Sequence, residues 1–314
     1  MASRFAASLA RYALYRIGLT LPLLLGAALL IFFAGRLAPG DPVAIRLGDH
    51  YDEKAALAIK KQLGLDQPIW AQFVRYITGA VRGDFGESFI SPGRRISGIV
   101  RQTLPLSLRL TVLAVGSAAV LGLTLGIIGS VSVRSAWDRA LQVLVVVALS
   151  VPNFVVAALL VLVFALWLRT LPVAGISGWQ SYVLPVVVLA IAPTAYITRI
   201  SRTSMLQVMA EDYVRTARSK GLARPRIIFR HVLRNAALPI VTTVGLAFGY
   251  TLTGSFIVEV IFNIPGMARV GVEGILQRDY TVIQAVVLIY TSLFIFVNLV
   301  VDLSYALFNP RIRY

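Results

Sequence analysis

The chain has 314 residues, a net charge of +16, two histidines and no cysteine. Hydrophobic residues make up 58% of it, and its mean hydropathy of +0.79 lies far above that of a soluble domain. Disulfides, thiol catalysis and cysteine metal sites are excluded, and His50 and His231 alone cannot build a histidine cluster. The positive charge gathers at the ends of apolar runs, so membrane topology accounts for it better than phosphate binding, and no nucleic-acid motif accompanies it.

In chain order, Arg4, Arg11 and Arg16 precede an apolar run over residues 17–34. No small-residue cleavage site is evident and APGDP (38–42) follows at once, so the run reads as an uncleaved first span with a cytoplasmic N-terminus. A polar insert follows over residues 36–101. DEKAALAIKKQLG (52–64) has acids at its start and Gly64 just past its end, the pattern of a capped helix. Pro68 opens a second helix over 68–83, and GDFGESF (83–89) is rich in turn residues. Two helices with Trp70, Phe73, Tyr76 and Phe85 as buried aromatics favour a folded external cap over a plain connector.

Residues 104–131 and 141–168 each exceed the ~20 residues needed to cross a bilayer core. Gly116, Gly122, Gly126 and Gly129 in the first of these suit close helix packing. Arg109, about two turns inside, is expected to face protein, water or the outer interface. Arg134 and Arg139 flank a short cytoplasmic turn. LSVPNF (149–154) sets Pro152 and Asn153 inside the third span, read first as a kinked packing element and second as a pathway lining. An external loop (171–181) leads to a fourth span from about residue 182.

A basic segment, 203–235, then precedes the fifth span over 236–258. Nine Lys or Arg lie between Arg199 and Arg234, opposed only by Glu211 and Asp212. The segment reads as two short helices with a hinge. Gly221 suits a left-handed helix end, with Arg215, Arg218 and Lys220 in the preceding turns where cations favour the dipole. Pro225 can open the second helix, on which Arg226, Arg230 and Arg234 recur every four residues. The alternative is a positive-inside loop lying on lipid headgroups.

Glu259 and Asn263 mark the outer end of the fifth span. Residues 264–280 are too polar to span and suggest a short interfacial helix after Pro265 and Gly266. The sixth span covers 282–303, where Asp302 is expected to pair with Arg199 or Arg202, and NPRIRY (309–314) closes the chain inside. Sixteen Lys or Arg fall on the cytoplasmic side against three in the short outer loops, which six spans with both termini inside satisfy; the long insert escapes the rule.

DYVRTARSKGL (212–222) followed by RHVLRNAALP (230–239) resembles the cytoplasmic loop of permease subunits of ATP-binding-cassette importers, specifically the dipeptide/oligopeptide/nickel family. Arg215, Thr216 and Ala217 stand where the general signature has Glu-Ala-Ala, with Gly221 in register; this departure is typical of the peptide-importer branch. LAPGDPV, GLDQP and GDFGESF resemble the family's external segment, LSVPNF its S-x-P-x-F segment in the core, and FNIPG with QRDYTVIQ its external gate region.

The resemblance covers nearly the whole chain. It implies an all-α integral membrane protein of the bacterial inner membrane, with six transmembrane helices and the type I importer permease fold. The expected divisions are 1–35 (N-terminus and first span), 36–101 (external insert) and 102–314 (five-helix core with the coupling loop). It also implies an ATPase-coupling element at Arg215, Thr216, Ala217, Arg218, Lys220 and Gly221, where Gly221 gives the turn, Ala217 allows close approach and the cations meet acids. Glu259, Asn263, Pro265 and Gly266 become candidate gate residues. The implied partners are a second related permease, two ATPase subunits (or one fused), an external substrate-binding protein and the bilayer, with no nucleic acid. The chain itself is expected to be no enzyme and to hold no cofactor or metal, ATP and Mg being bound by the ATPase subunits.

Independently of the resemblance, no Gly is followed by Lys, so there is no phosphate-loop motif. No series of membrane acids suggests a proton-driven carrier either. The competing classes are a stand-alone secondary carrier, which predicts internal repeats, and a membrane enzyme or scaffold, which predicts clustered polar residues at one depth; neither pattern is evident. Within the importer class, peptide is preferred, with nickel, glutathione or another small solute as the alternative.

Overall fold

The computed structural model describes residues 2–37, Val43, Leu47 and 52–308. Residues 38–42 of the external LAPGDPV motif, and the closing NPRIRY, lie outside the described residues. The described residues form helices and loops, with one isolated antiparallel bridge between Glu87 and Arg95. The helices are α1 (Ala2–Leu37), α2 (Glu53–Leu63), α3 (Ile69–Val81), α4 (Ile96–Val131), α5 (Ala136–Ser150), α6 (Asn153–Trp167), α7 (Gln180–Met209), α8 (Asp212–Ser219), α9 (Arg224–Ile261), α10 (Met267–Gln277) and α11 (Tyr280–Phe308). Five stretches, within α1, α4, α7, α9 and α11, are long and apolar enough to cross a membrane; α5 and α6 make a sixth if their bent pair is one span.

The chain forms two compact units. The first comprises Leu108–Ile264 with the segments up to Gly18 and from Phe294 onward. Its centre is α7, whose Leu184, Val188, Leu189 and Ile197 are buried against Leu110, Ala114 and Ala118 of α4 and Ala247 and Val258 of α9. Small residues bring α4 and α7 together. A Cβ on Gly126 would meet the Ser201 side chain and stand 3.0 Å from the Thr198 carbonyl oxygen, and one on Gly122 would lie 2.9 Å from that of Thr194. Because those neighbours are backbone, they cannot rotate away. Gly116 has open space around it and carries no such packing role. Gly126→Val is therefore expected to overpack this seam by about 1–3 kcal/mol and to lower the melting temperature in detergent, whereas Gly116→Val leaves it within a degree or so. Equal melting of the two variants would contradict the close approach.

Ion pairs in this unit differ from the sequence expectation. Arg202 of α7 gives its Nε and Nη2 hydrogens to the two oxygens of Asp138 on α5, at 2.7 and 2.8 Å. Asp302 of α11 instead meets Arg16 of α1 at 2.9 Å. The expected pairing of Asp302 with Arg199 or Arg202 is thus corrected: the inner end of α11 faces α1, and the guanidinium of Arg202 is already held in a fork by a nearer carboxylate.

The second unit comprises Leu19–Ser107 and Pro265–Leu293. Here α3 packs on the outer turns of α1, with Phe32 5.4 Å from Phe73 and 5.6 Å from Tyr76, centroid to centroid. Trp70 is not buried in that core: it is 61% exposed and lies at its margin, edge-on to Phe33 at 6.0 Å and to Phe73 at 6.3 Å. The inward position next to it is taken by Gln72, whose amide donates to the carbonyls of Leu65 and Gln67 and accepts from Arg36. Asp279, ahead of α11, accepts hydrogen bonds from the Ser88 hydroxyl, the Phe89 N–H and the Val282 N–H. One buried carboxylate thus fixes the GDFGESF turn and begins a helix. The Met267 N–H at the start of α10 donates to the buried hydroxyl of Ser107.

Candidate functional site

The basic loop is built from two helix ends. The helix α8 starts at Asp212, whose acid suits the positive end of the dipole. Val214 and Ala217 face inward and pack with Met205, Ile227, Val232 and Ala236. The helix ends in a Schellman motif: the Leu222 N–H reaches the Ala217 carbonyl at 3.3 Å and the Gly221 N–H that of Arg218 at 2.9 Å. Gly221 holds φ at +72°, which glycine adopts without strain. Leu222 returns to the apolar cluster, so the turn is pinned from below.

This geometry separates the six sequence-picked residues into two roles. Arg215, Thr216, Arg218, Lys220 and Gly221 are exposed on the outer side of the loop. Ala217 points inward, and the close approach it permits is to the chain's own core. Thr216 satisfies its hydroxyl on the Asp212 carbonyl. Arg215 lies 3.6 Å from Asp212 in an exposed pair, which contributes little to stability and leaves the guanidinium free to exchange partners. Burial pushes the Tyr213 phenol above its ordinary pKa, Glu211 adds to this and Asn235 opposes it, so the group stays protonated at neutral pH.

Sequence reasoning ended the basic loop before a separate fifth span. Instead α9 runs without a break from Arg224 to Ile261. Its second turn is π-helical, Ile227–Val232, closed by the Leu233 N–H on the Ile228 carbonyl. The wider turn places Arg226, Arg230 and Arg234 as an exposed stripe while Ile227 and Val232 stay buried. Arg224 donates to the Val131 carbonyl at 3.1 Å, which ties the loop to the end of α4. A cavity of about 560 Å³ lies beside the loop, its lining including Ser130, Met209, Arg218, Leu222, Arg224 and Ile228. The loop is thus a cationic projection, joined to α7 through the turn at Ala210 and Glu211 and leading on its other side into α9. It can pass a displacement of its tip into two long helices.

The other candidate residues fall in both units. Glu259, fully buried, and Asn263 belong to the first. They form the end of α9, a second Schellman closure: Ile264 N–H to the Glu259 carbonyl at 2.8 Å, and Asn263 at φ +49°. Asn is the residue after Gly that best tolerates this conformation. Pro265 and Gly266 belong to the second unit, where Gly266 precedes α10 in an extended conformation.

The buried Asp138–Arg202 pair was missed from the sequence. A signal for it existed, since Asp138 is the only acid between Glu87 and Glu211.

Two family models cover the chain. Residues 118–314 match the binding-protein-dependent transport system inner membrane component, and residues 9–111 match the N-terminal part of such membrane components. The chain belongs to the permease family of binding-protein-dependent ABC importers. It is a multi-pass protein of the bacterial inner membrane. The permease is 42% identical to the glutathione transport system permease protein GsiC of Salmonella paratyphi A over 304 residues, covering 96% of this chain and 99% of that one. The GsiC of Escherichia coli K12 is 41% identical over the same span. Among solved structures, the permease fold resembles a chain of the inward-facing MetNI methionine ABC transporter, with a TM-score of 0.59 at 15% identity over 67% of this chain and 96% of that one. An amino acid ABC transporter solved with histidines gives a TM-score of 0.54 at 20% identity over 66% and 93%. At these identities the likeness is one of fold, and it is that of a type I importer permease.

Proposed function

We propose that this permease forms, with a second related permease, the translocation path for short peptides, glutathione among them, delivered by an external binding protein. Two ATPase subunits, which bind ATP and Mg, power the cycle; this chain hydrolyses nothing itself. The observation that carries the reading is the near full-length likeness to glutathione permeases, since glutathione is itself a tripeptide. The exposed cations around Gly221 suit acids on an ATPase surface, and the chain's lack of a phosphate loop fits an external motor. In the cycle, ATP closes the ATPase pair, the loop is displaced and the long helices α7 and α9 carry the movement outward. Glu259, Asn263, Pro265 and Gly266 act at the external gate.

The test is uptake of labelled glutathione and of dialanine by proteoliposomes containing the complete complex. ATP-dependent uptake that requires the binding protein is expected. Uptake by this chain alone under an ion gradient would replace the reading with that of a secondary carrier.

A further inference from the structure

The third span is broken where a helix should be continuous. Val151 and Pro152 are both extended, and the axes of α5 and α6 differ by 100°. The cause is local. Pro152 has no N–H to offer the Ala148 carbonyl, and its own carbonyl is taken by the N–H groups of Val155 and Val156, at 3.0 and 3.3 Å. The last carbonyls of α5 and the first N–H groups of α6 thereby lose the intrahelical partners that an unbroken span would supply. The break follows the 15 residues of α5, roughly 22 Å of helix, which sets it within the hydrocarbon depth of a bilayer.

Polar side chains gather at the same place. Asn153 lies beside the break, and its amide makes no hydrogen bond to another described residue. Across from it on α9 is Gly254, where a Cβ would sit 3.7 Å from the Asn153 amide nitrogen, an ordinary contact distance that places the two helices side by side at the break. Tyr250, one turn earlier on α9, is 54% exposed, and its hydroxyl likewise meets no described partner. Thr253, whose hydroxyl donates to the Gly249 carbonyl at 3.0 Å, lines the same cavity. These groups border a cavity of about 460 Å³, together with Phe154 and Ile257. Among the described residues, no charged residue or histidine lines it.

Such a surface is unstable against lipid. Broken backbone and an unpartnered amide at membrane depth are tolerated where they are sealed by protein or where they line a water-filled space. The cavity supplies that space, and its mix of aromatic walls and a few convergent polar groups is that of a ligand site. We propose that the Val151–Pro152 break, with Asn153 and Tyr250, is the cargo-contacting wall of the translocation path, binding peptide groups through neutral hydrogen bonds. This rests on the peptide reading above. An amide side chain both donates and accepts, as a peptide bond does, and the freed carbonyls accept from cargo N–H groups. A wall without anionic or imidazole ligands has nothing to hold a nickel ion. Neutral groups also grip weakly enough to release a passing cargo whatever its side chains.

The experiment uses the complete complex in proteoliposomes. Asn153→Leu and Tyr250→Phe are each expected to reduce dialanine uptake at sub-saturating cargo about fivefold, the value of one lost hydrogen bond. ATP hydrolysis stimulated by loaded binding protein should stay within twofold of the parent. Val146→Leu, at another exposed position of α5, serves as the unaffected control. Because the natural chain has no cysteine, Asn153→Cys supplies its single thiol. That thiol should react with a charged, membrane-impermeant reagent, read on this chain by mass spectrometry, and saturating cargo should protect it. Full uptake in both hydrogen-bond variants overturns the proposal. So does a thiol that is unreactive, or reactive but unprotected, and this readout decides the matter if Asn153→Leu fails to assemble. Absence of peptide uptake by the unmodified complex would overturn the peptide reading itself, a separate result.

Discussion

Asp138→Ala is expected to destabilise the permease by roughly 3–5 kcal/mol, the cost of removing one partner of a buried ion pair. The Asp138 side chain is only 3% exposed. It accepts both hydrogens of the Arg202 fork and a third from the Arg134 N–H at 3.2 Å. Deleting it leaves the guanidinium of Arg202, itself 20% exposed, without a counter-charge between two helices of the bundle. The pair costs desolvation to build, so replacing both partners by apolar groups of similar volume should restore most of the loss. Asp138→Leu combined with Arg202→Met is therefore expected to melt near the parent in detergent, while Asp138→Ala alone melts far below it. A single-variant loss under about 1 kcal/mol, the range of exposed pairs, would mean that water reaches the pair.

The contrast between what was and was not legible beforehand follows from what each feature depends on. The positions of the apolar spans and the helix end at Gly221 rest on local chemistry. Apolar runs, a glycine and cations in the last turn announce themselves in order, and the structure forms a helix end there. Partner choice is non-local. The face on which Asp302 sits follows from helical period, but whether that face looks at Arg16 or Arg202 depends on how helices far apart in sequence are arranged. Burial at Trp70 failed for a related reason. An amphipathic helix has more aromatic surface than inward positions, and Gln72 won one of them through hydrogen bonds that no hydropathy pattern reveals. The continuity of α9 was hidden by Pro225 and by the π-helical turn, because a turn of unusual width keeps a helix running where standard periodicity ends it. Left-handed positions occupied by Arg134, Arg169, Asn263 and Arg278 were equally silent, since only glycine signals them reliably. Of the candidate residues, those at the cytoplasmic loop stood close in sequence and so stayed together in the fold.

Gly221→Val should reduce coupled uptake about tenfold or more while leaving most of the fold intact. The physical reason is conformational. A Cβ at Gly221 would meet nothing within 4 Å, so no clash opposes a side chain. The obstacle is φ +72°, which costs an ordinary L-residue about 1–2 kcal/mol and a β-branched one more. Valine relieves that strain by leaving the left-handed region, which breaks the bonds from Leu222 to Ala217 and from Gly221 to Arg218. The end of α8 then loses its closure, and Arg218 and Lys220 no longer project from a fixed tip. A loop that cannot hold its shape under load transmits little, so ATP-dependent uptake should fall about tenfold or more, the effect of 1.4 kcal/mol in a required geometry. Basal hydrolysis by the ATPase subunits should persist. Asn tolerates the same backbone region, and Gly221→Asn is accordingly expected to keep most of the parent's uptake. This pair separates conformation from size, because asparagine and valine occupy similar space. If both variants transport like the parent, the tip is not the part that receives the motor's stroke. If both fail equally, the loop tolerates no side chain of any kind, and contact with a partner surface, not backbone strain, explains the glycine.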